Sequence, residues 1–120
     1  LEPKITQEFI FNNYSNSEFN IKICTDVSHT ALYCFTEKID LFESLNKILP
    51  YTSHLHIADS KSPDGEGLQI GEGNIDWDTF CKLYKNNYSK ISFIPEIWQG
   101  HNDDGAGFWY ALNKLNLKLK

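Results

Sequence analysis

The chain has 120 residues and a hydrophobic fraction of 41%, which is enough for one small domain with a packed core. The formal net charge is −5, and all 11 residues counted as lysine or arginine are lysine. Nucleic acid is therefore a poor candidate partner, because phosphate-rich polymers are usually bound by clusters of arginine and lysine. No apolar run is long enough for a membrane span, and no signal peptide is recognisable, so we expect a cytoplasmic protein that does not bind membranes.

The first half of the chain predicts a helix, a strand and a second helix. Lys4 to Tyr14 follows a proline suited to a first helical turn, and its apolar residues share one side. Ile21 to Cys24 is a short β-branched run typical of a strand, and it ends at Thr25-Asp26. Apolar residues then recur at helical spacing until Pro50 stops the pattern, namely Ile39, Phe42, Leu45 and Leu49.

The second half predicts two more strands, Leu55 to Ala58 and Ile91 to Ile94, each followed by a helix. Asp76 is a good N-cap for the first of these helices. The apolar faces of the two helices consist of Trp77, Phe80, Cys81 and Tyr84, and of Phe108, Ala111, Leu112 and Leu115. Strands and helices alternate, and the strands are too far apart for hairpins. We therefore expect an α/β fold built from parallel βαβ units.

Ionisable side chains stand at the ends of three successive predicted strands, namely Asp26, His56 and Glu96. The carboxyl ends of the strands in a parallel barrel share one rim, so these residues should converge. Two carboxylates and one imidazole suit a divalent metal. Each residue alone could be a helix cap, a solvated carboxylate or a satisfied histidine, but three in register favour a site. His54 points the same way one layer deeper, which favours a hydrogen-bonded core histidine.

The number of cysteines and the absence of methionine indicate the redox environment of the chain and its relation to a longer polypeptide. Cys24, Cys34 and Cys81 are odd in number and show no Cys-Xaa-Xaa-Cys spacing, which favours reduced thiols. The chain contains no methionine, as expected for a segment of a longer polypeptide.

Four segments together resemble the xylose-isomerase-like (β/α)8 barrels, a group that includes sugar-phosphate isomerases, epimerases and endonuclease IV. The segments are Asp26-Val27-Ser28-His29, His56-Ile57-Ala58-Asp59-Ser60-Lys61, Ile70-Gly71-Glu72-Gly73-Asn74-Ile75 and Ile94-Pro95-Glu96. They follow the order of the last three strands of that family. Because a complete barrel needs about 250 residues, the resemblance implies that residues 1–120 form one partial domain, the C-terminal half of a TIM barrel with about its last three to four βα units.

The same resemblance implies one divalent metal ion (manganese, cobalt, zinc or magnesium) bound by Glu2, Asp26, His56 and Glu96. Glu96 and Glu2 would exchange a proton with the carbon beside a sugar carbonyl, which the metal would polarise. His29, one helical turn past Asp26, would bind a substrate oxygen; the alternative is a loop histidine that caps a helix.

Further substrate contacts are expected from the loops that follow the strands. Lys61 would receive a hydroxyl, carboxylate or phosphate group, unless it is a solvated lysine. Trp98 and His101 follow Glu96 in the last βα-loop, where they would stack on a sugar and bind its hydroxyls; the alternative is a glycine-rich turn with a core aromatic residue.

Four other residues of these motifs receive structural interpretations. Asp59 is either a neighbour of the metal ligands or a turn residue. Gly71 and Gly73 serve loop geometry, and Glu72 binds nearby backbone donors.

The leading prediction is a metal-dependent isomerase or epimerase that acts on a small-molecule sugar or sugar phosphate. The tail from Trp98 to Trp109 is similar to that of isomerase-like domains in bacterial surface-sugar (sialic-acid-type) biosynthesis. An abasic-site nuclease like endonuclease IV is the first alternative, but that enzyme needs Asp-Xaa-His before the Gly-Glu-Gly turn, where this chain has Gly65 and Gly67. A non-catalytic sugar-binding or assembly module is the second.

Half a barrel would expose sheet edges and an uncovered apolar face. We therefore expect a homo-oligomer or part of a longer multidomain chain, and an isolated fragment without activity.

Overall fold

A computed structural model describes residues 22–120 of the chain. Glu2 and the helix predicted from Lys4 to Tyr14 lie outside the described residues, as does the first residue of the predicted strand, Ile21.

Between residues 22 and 57 the chain forms two strands separated by two helices. In chain order these are β1 (Ile23–Asp26), α1 (Val27–Glu37), α2 (Leu41–Ile48) and, after a 3-10 turn over Leu49–Tyr51, β2 (Thr52–Ile57). The carboxylates of Asp26 and Asp40 cap the two helices by accepting hydrogen bonds from the third residue of each helix, His29 N at 2.9 Å and Glu43 N at 2.6 Å. Both helix starts therefore follow from a local aspartate.

The remaining part begins with a hairpin and ends with two helices around a strand. Its elements are β3 (Asp59–Lys61), β4 (Gly65–Leu68), α3 (Trp77–Leu83) followed by a π-helical turn over Tyr84–Tyr88, β5 (Ser92–Pro95) and α4 (Asn102–Leu119). Asp76 caps α3 by accepting hydrogen bonds from Asp78 N and Thr79 N, both at 3.1 Å. Near the start of α4, Asp103, Asp104 and Gly105 have φ angles of 50°, 58° and 82°, so the regular helix begins after them.

The strands β1, β2 and β5 form one parallel sheet in that order. Because helices connect each strand to the next, all three carboxyl ends lie at the same edge. Asp26 pairs with His56 across β1 and β2, and His56 pairs with Ile94 across β2 and β5. The parallel α/β fold predicted from the sequence is confirmed.

The core lies between one face of the sheet and the helices. Leu55 and Ile57 of β2 are fully buried and belong to one apolar cluster with Leu45 of α2, Phe80 of α3 and Leu115 of α4. The apolar faces predicted for α2, α3 and α4 therefore bury most of the expected residues. Four of them are only partly buried, namely Phe42, Tyr84, Phe108 and Leu112. Ile39, which precedes α2, is 41% exposed.

The opposite face of the sheet is open in the described part of the chain, and it is mostly polar. Alternation along the strands puts Cys24, His54, His56 and Ser92 on this face, together with Ile94, which is 47% exposed. The expectation of an uncovered apolar face is therefore wrong for residues 22–120.

Two elements differ from the sequence-based expectation. The expectation that no hairpins occur is wrong, because β3 and β4 pair antiparallel, with Asp59 opposite Leu68 and Lys61 opposite Gly65. In addition, α1 fills a segment to which the periodicity assigned no helix. Its buried residues are mostly small, namely Val27, Ser28, Ala31 and Cys34, so it carries little apolar signal.

No helix in residues 22–120 is both long and apolar enough to cross a membrane.

Candidate metal centre and adjoining pocket

The three strand-end residues converge as their spacing predicts. One ligand atom from each of Asp26, His56 and Glu96 lies within 4.8 Å of the others. His56 Nδ1 and Glu96 Oε2 are 2.6 Å apart, and the side chains of His56 and Glu96 are 33% and 56% exposed. Ligand atoms bound to one divalent ion at about 2.0–2.2 Å are about 3–4 Å apart, so this group can close around a single ion with small movements.

The donor set also fits a divalent cation chemically. Two carboxylates and one neutral imidazole are ligands that zinc, manganese and cobalt accept. Cys24 lies one layer below Asp26 on the same face, and its pKa is raised, first by partial removal from water and then by the charges of Asp26 and Glu96. All three cysteines are free thiols.

His29 connects the metal group to a residue from the hairpin. Its Nδ1 is 2.7 Å from Asp26 Oδ2, and its Nε2 is 3.0 Å from Glu66 Oε2. The pKa of His29 is raised, chiefly by the side-chain hydrogen bond to Asp26, while partial desolvation opposes the shift and the charges of Asp26 and Glu66 support it. Asp26 therefore both caps α1 and orients the imidazole of His29.

Asp59 organises the loop between β4 and α3. Its fully buried carboxylate accepts hydrogen bonds from the backbone N–H groups of Ser60, Gly71 and Ile75 at 2.8, 2.9 and 3.1 Å, and from Trp77 Nε1 at 2.8 Å. A buried carboxylate is tolerated where donors of this kind replace its water. Of the two interpretations of Asp59, the structure supports the loop role.

The glycines of this loop permit close approach to Asp59. A Cβ atom on Gly73 would collide with the Asp59 carboxylate and with the Ser60 carbonyl oxygen. Glu72, in contrast, is exposed, and its carboxylate makes no hydrogen bond to a described residue. The prediction that Glu72 binds backbone donors is wrong; Asp59 takes that role because it is buried beneath the loop.

A clamp made by Ser28, Gly67 and Trp98 holds the hairpin over the strand ends. Ser28 Oγ donates to the Asp59 carbonyl oxygen at 3.0 Å and accepts from Gly67 N at 3.1 Å. Trp98 N donates to the Gly67 carbonyl oxygen at 2.7 Å. Gly67 has a φ of +65°, and a Cβ there would lie 3.3 Å from Trp98 N, so glycine suits this contact.

A cavity of about 510 Å³ opens beside the metal group. Its walls come from the end of β1, the start of α1, the hairpin and the β5–α4 loop. The lining residues are Asp26, Ser28, His29, Ala58, Glu66, Gly67, Glu96, Ile97, Trp98, Gln99 and His101. Such a concave site with a few convergent polar groups is typical of small-molecule binding.

The structure brings most of the sequence-predicted site residues to this cavity. His29, Trp98 and His101 line it beside Asp26 and Glu96, and Trp98 is 77% exposed. Lys61 does not line it; this residue is exposed at the end of β3. Glu2 lies outside the described residues.

His54 lies on the same face of β2 as His56, as the alternation predicts, and it is hydrogen-bonded. The prediction that it is a core residue is wrong, because this face of the sheet is open among the described residues. Its Nδ1 is 2.8 Å from Ser92 Oγ, and its ring meets that of His56 edge to face with centroids 5.7 Å apart. It is partly buried and lies outside the metal group.

Sequence reasoning assigned no site role to Glu66 or Ser28. Both act through partners distant in the chain, so no local spacing reveals them. The one available signal is that Gly65-Glu66-Gly67 repeats the tripeptide Gly71-Glu72-Gly73, which marks a second tight loop carrying a carboxylate.

The parallel strands alternate with helices and bring two carboxylates and an imidazole to one rim. This arrangement defines part of a TIM barrel with a candidate metal site. The chain matches the family model described as Xylose isomerase-like TIM barrel over residues 13–112, and it belongs to this family. The family includes sugar isomerases, epimerases and endonuclease IV, and most of its members are enzymes. A comparison with curated proteins finds no match.

Proposed function

We propose that this chain is the C-terminal part of a metal-dependent sugar isomerase or epimerase. The convergence of Asp26, His56 and Glu96 at three parallel strand ends carries the proposal. These residues, with Glu2, would hold one divalent ion, and the ion would polarise a sugar carbonyl and stabilise developing negative charge. A role in bacterial surface-sugar biosynthesis remains part of the proposal, supported by the tail from Trp98 to Trp109.

Glu96 is the proposed acid and base. His56 Nδ1 holds Glu96 Oε2, while Oε1 makes no hydrogen bond to a described residue and is available to the cavity. Glu96 would take a proton from the carbon beside the carbonyl and return it, and Glu2 would share this exchange. A carboxylate at the rim of a cavity can reach a bound carbon acid without moving the backbone.

The cavity residues would orient the sugar. The exposed indole of Trp98 offers a flat apolar surface for a sugar ring. His29 and His101 offer imidazole nitrogens to hydroxyl groups.

Gly65 and Gly67 argue against a nuclease. In endonuclease IV the corresponding positions supply additional metal ligands, and here they belong to β4 without ligand side chains. The cavity walls formed by described residues also contain no lysine, which does not suit a phosphodiester backbone.

Replacing His56 or Glu96 tests the proposal in the full-length protein. His56→Ala and Glu96→Gln should each weaken Mn²⁺ binding by more than about 100-fold, since even neighbours of metal ligands typically contribute 10- to 100-fold. Both variants should also stop exchange of sugar C–H protons with D₂O, followed by NMR over a panel of aldoses and ketoses.

The matched control is His54→Ala, which removes the same side chain two residues earlier on the same face of β2. It should keep most of the metal affinity. Unchanged Mn²⁺ affinity in both ligand variants would contradict the proposal. Metal-dependent nicking of abasic-site DNA would favour the nuclease, and stoichiometric sugar binding without exchange at any carbon would favour the non-catalytic module.

A further inference from the structure

Glu66 lines the cavity, and the backbone of the next residue, Gly67, is held by two hydrogen bonds. The clamp joins its neighbour Gly67 to Ser28 of α1 and to Trp98 of the β5–α4 loop. The Glu66 side chain is 55% exposed, and its Oε2 lies 3.0 Å from His29 Nε2. Its Oε1 makes no hydrogen bond to a described residue. The structure thus presents one free carboxylate oxygen at a defined place on the cavity wall.

The cavity beside Glu66 is acidic in the described part of the chain. Three carboxylates line it, from Asp26, Glu66 and Glu96, while no lysine does so. A divalent ion at the metal group would offset the charges of Asp26 and Glu96. Glu66 lies outside that group, and only its Oε2 contacts His29, so its Oε1 is the oxygen that a substrate in the cavity would meet.

The chemistry of a carboxylate decides what can bind there. An ionised carboxylate only accepts hydrogen bonds, so it binds hydroxyl groups as donors. A phosphate brought within about 4 Å would be repelled by roughly 1 kcal/mol per charge pair even at the dielectric constant of water. A carboxylate at this place would therefore favour the hydroxyl-bearing end of a sugar phosphate over its phosphate end, and a sugar over its phosphate ester.

We propose that Glu66 is a specificity-determining residue that makes this cavity select the uncharged, hydroxyl-bearing end of a sugar over a phosphorylated one. The proposal rests on the proposed function and names its substrate class.

Equilibrium binding of a matched pair of probes tests it. Glucitol and glucitol 6-phosphate have no carbonyl group, so an isomerase cannot turn them over, and they differ only in the phosphate. In the full-length protein loaded with Mn²⁺, calorimetry should find tighter binding of glucitol. Glu66→Gln should shift the ratio of the two affinities toward the phosphate by roughly five- to tenfold, the effect of removing one nearby charge.

The chain supplies a matched control in Glu72→Gln. Glu72 has the same two glycine neighbours and the same charge, but it lies outside the cavity. This variant should leave the affinity ratio unchanged. As a measurement that needs no variant, added salt should strengthen the binding of glucitol 6-phosphate to the wild-type protein relative to glucitol, because it screens the repulsion.

Three results would overturn the proposal: wild-type protein that binds glucitol 6-phosphate at least as tightly as glucitol, wild-type protein that does not bind glucitol, or a ratio in Glu66→Gln equal to that in Glu72→Gln. Measuring Mn²⁺ affinity first distinguishes a failure of this proposal from a failure of the proposed function. Lost metal binding contradicts the function, whereas intact metal binding with an unaltered ratio contradicts only the role of Glu66.

Discussion

Asp59 shows how one buried charge can determine the path of a loop. Its carboxylate receives four N–H donors and has no cationic partner among the described residues. Apart from the neighbouring Ser60, the donors come from Gly71 near the start of the β4–α3 loop and from Ile75 and Trp77 at its end, so the loop closes around the carboxylate. Removing this acceptor leaves buried N–H groups without partners, which costs more than the hydrogen bonds themselves contribute.

Asp59→Asn should lower the free energy of unfolding by about 2–4 kcal/mol, because the amide cannot accept at both positions and about two donors lose their partner. Urea unfolding followed by circular dichroism measures the change. Glu72→Gln makes the same chemical change on an exposed side chain of that loop and should stay within about 0.5 kcal/mol of wild type. Equal destabilisation by the two substitutions would show that the buried network does not hold the loop.

Among single residues, the sequence predicts those site residues whose position depends on one strand alone. Asp26, His56 and Glu96 each lie within one residue of the end of a strand, so a parallel sheet is enough to bring them together. Glu66 depends on a hairpin whose strands hold two glycines and on a clamp between distant segments. Those interactions are tertiary, and no residue near Glu66 encodes them.

Helices and strands with a strong apolar periodicity or a local helix cap are predictable from the sequence, whereas the other elements are not. Asp76 and the aromatic residues after it specify α3 within a short stretch of chain. The burial of α1 depends on small side chains, and β4 has the sequence Gly-Glu-Gly-Leu, which has little intrinsic preference for a strand. The contacts of β4 come from its partner strand β3, from α1 and from the β5–α4 loop, and periodicity does not report them.

The cap of α3 should make stability depend on acid. Hydrogen bonds from Thr79, first from its side chain and then from its backbone N–H, lower the pKa of Asp76 below its ordinary value of 3.8. A lowered folded-state pKa means that the contribution is complete above the unfolded-state pKa and is lost as pH falls through the folded-state value. The stabilising effect of Asp76 should therefore be present near neutrality and disappear in strong acid.

Asp76→Ala should be less stable than wild type at about pH 6, and the difference should shrink by about pH 2.5. Urea midpoints at both pH values measure it. Asp64→Ala is the control, because Asp64 is an exposed aspartate that makes no hydrogen bond to a described residue. If Asp76→Ala is less stable than wild type by the same amount at both pH values, ionisation of Asp76 is not the source of the stability difference.

At the scale of the whole molecule, the sheet is a segment of a barrel. Its three strands leave the outer edges of β1 and β5 unpaired within residues 22–120, whereas a closed barrel has eight strands and no edge. The open face of the sheet is mostly polar, so we expect the strand edges, rather than this face, to be the main source of self-association by the sheet.

Residues 1–120 expressed alone should therefore self-associate in a concentration-dependent manner, as sedimentation velocity would detect. Ile94→Lys removes the exposed aliphatic side chain of the open face of the sheet and should leave most of this association in place. A stable monomer at all concentrations would contradict the prediction, and loss of association in Ile94→Lys would assign it to the face instead of the edges.

The two Gly-Glu-Gly tripeptides begin at positions 65 and 71, and they have consequences for comparing this chain with its relatives. An alignment that slips by six residues still matches glycine to glycine and glutamate to glutamate. It would nevertheless exchange a carboxylate on the cavity wall for one that faces solvent. For this segment, homologous positions are better assigned by the partner of each glutamate than by the motif itself. Glu66 contacts His29, whereas Glu72 has no partner among the described residues.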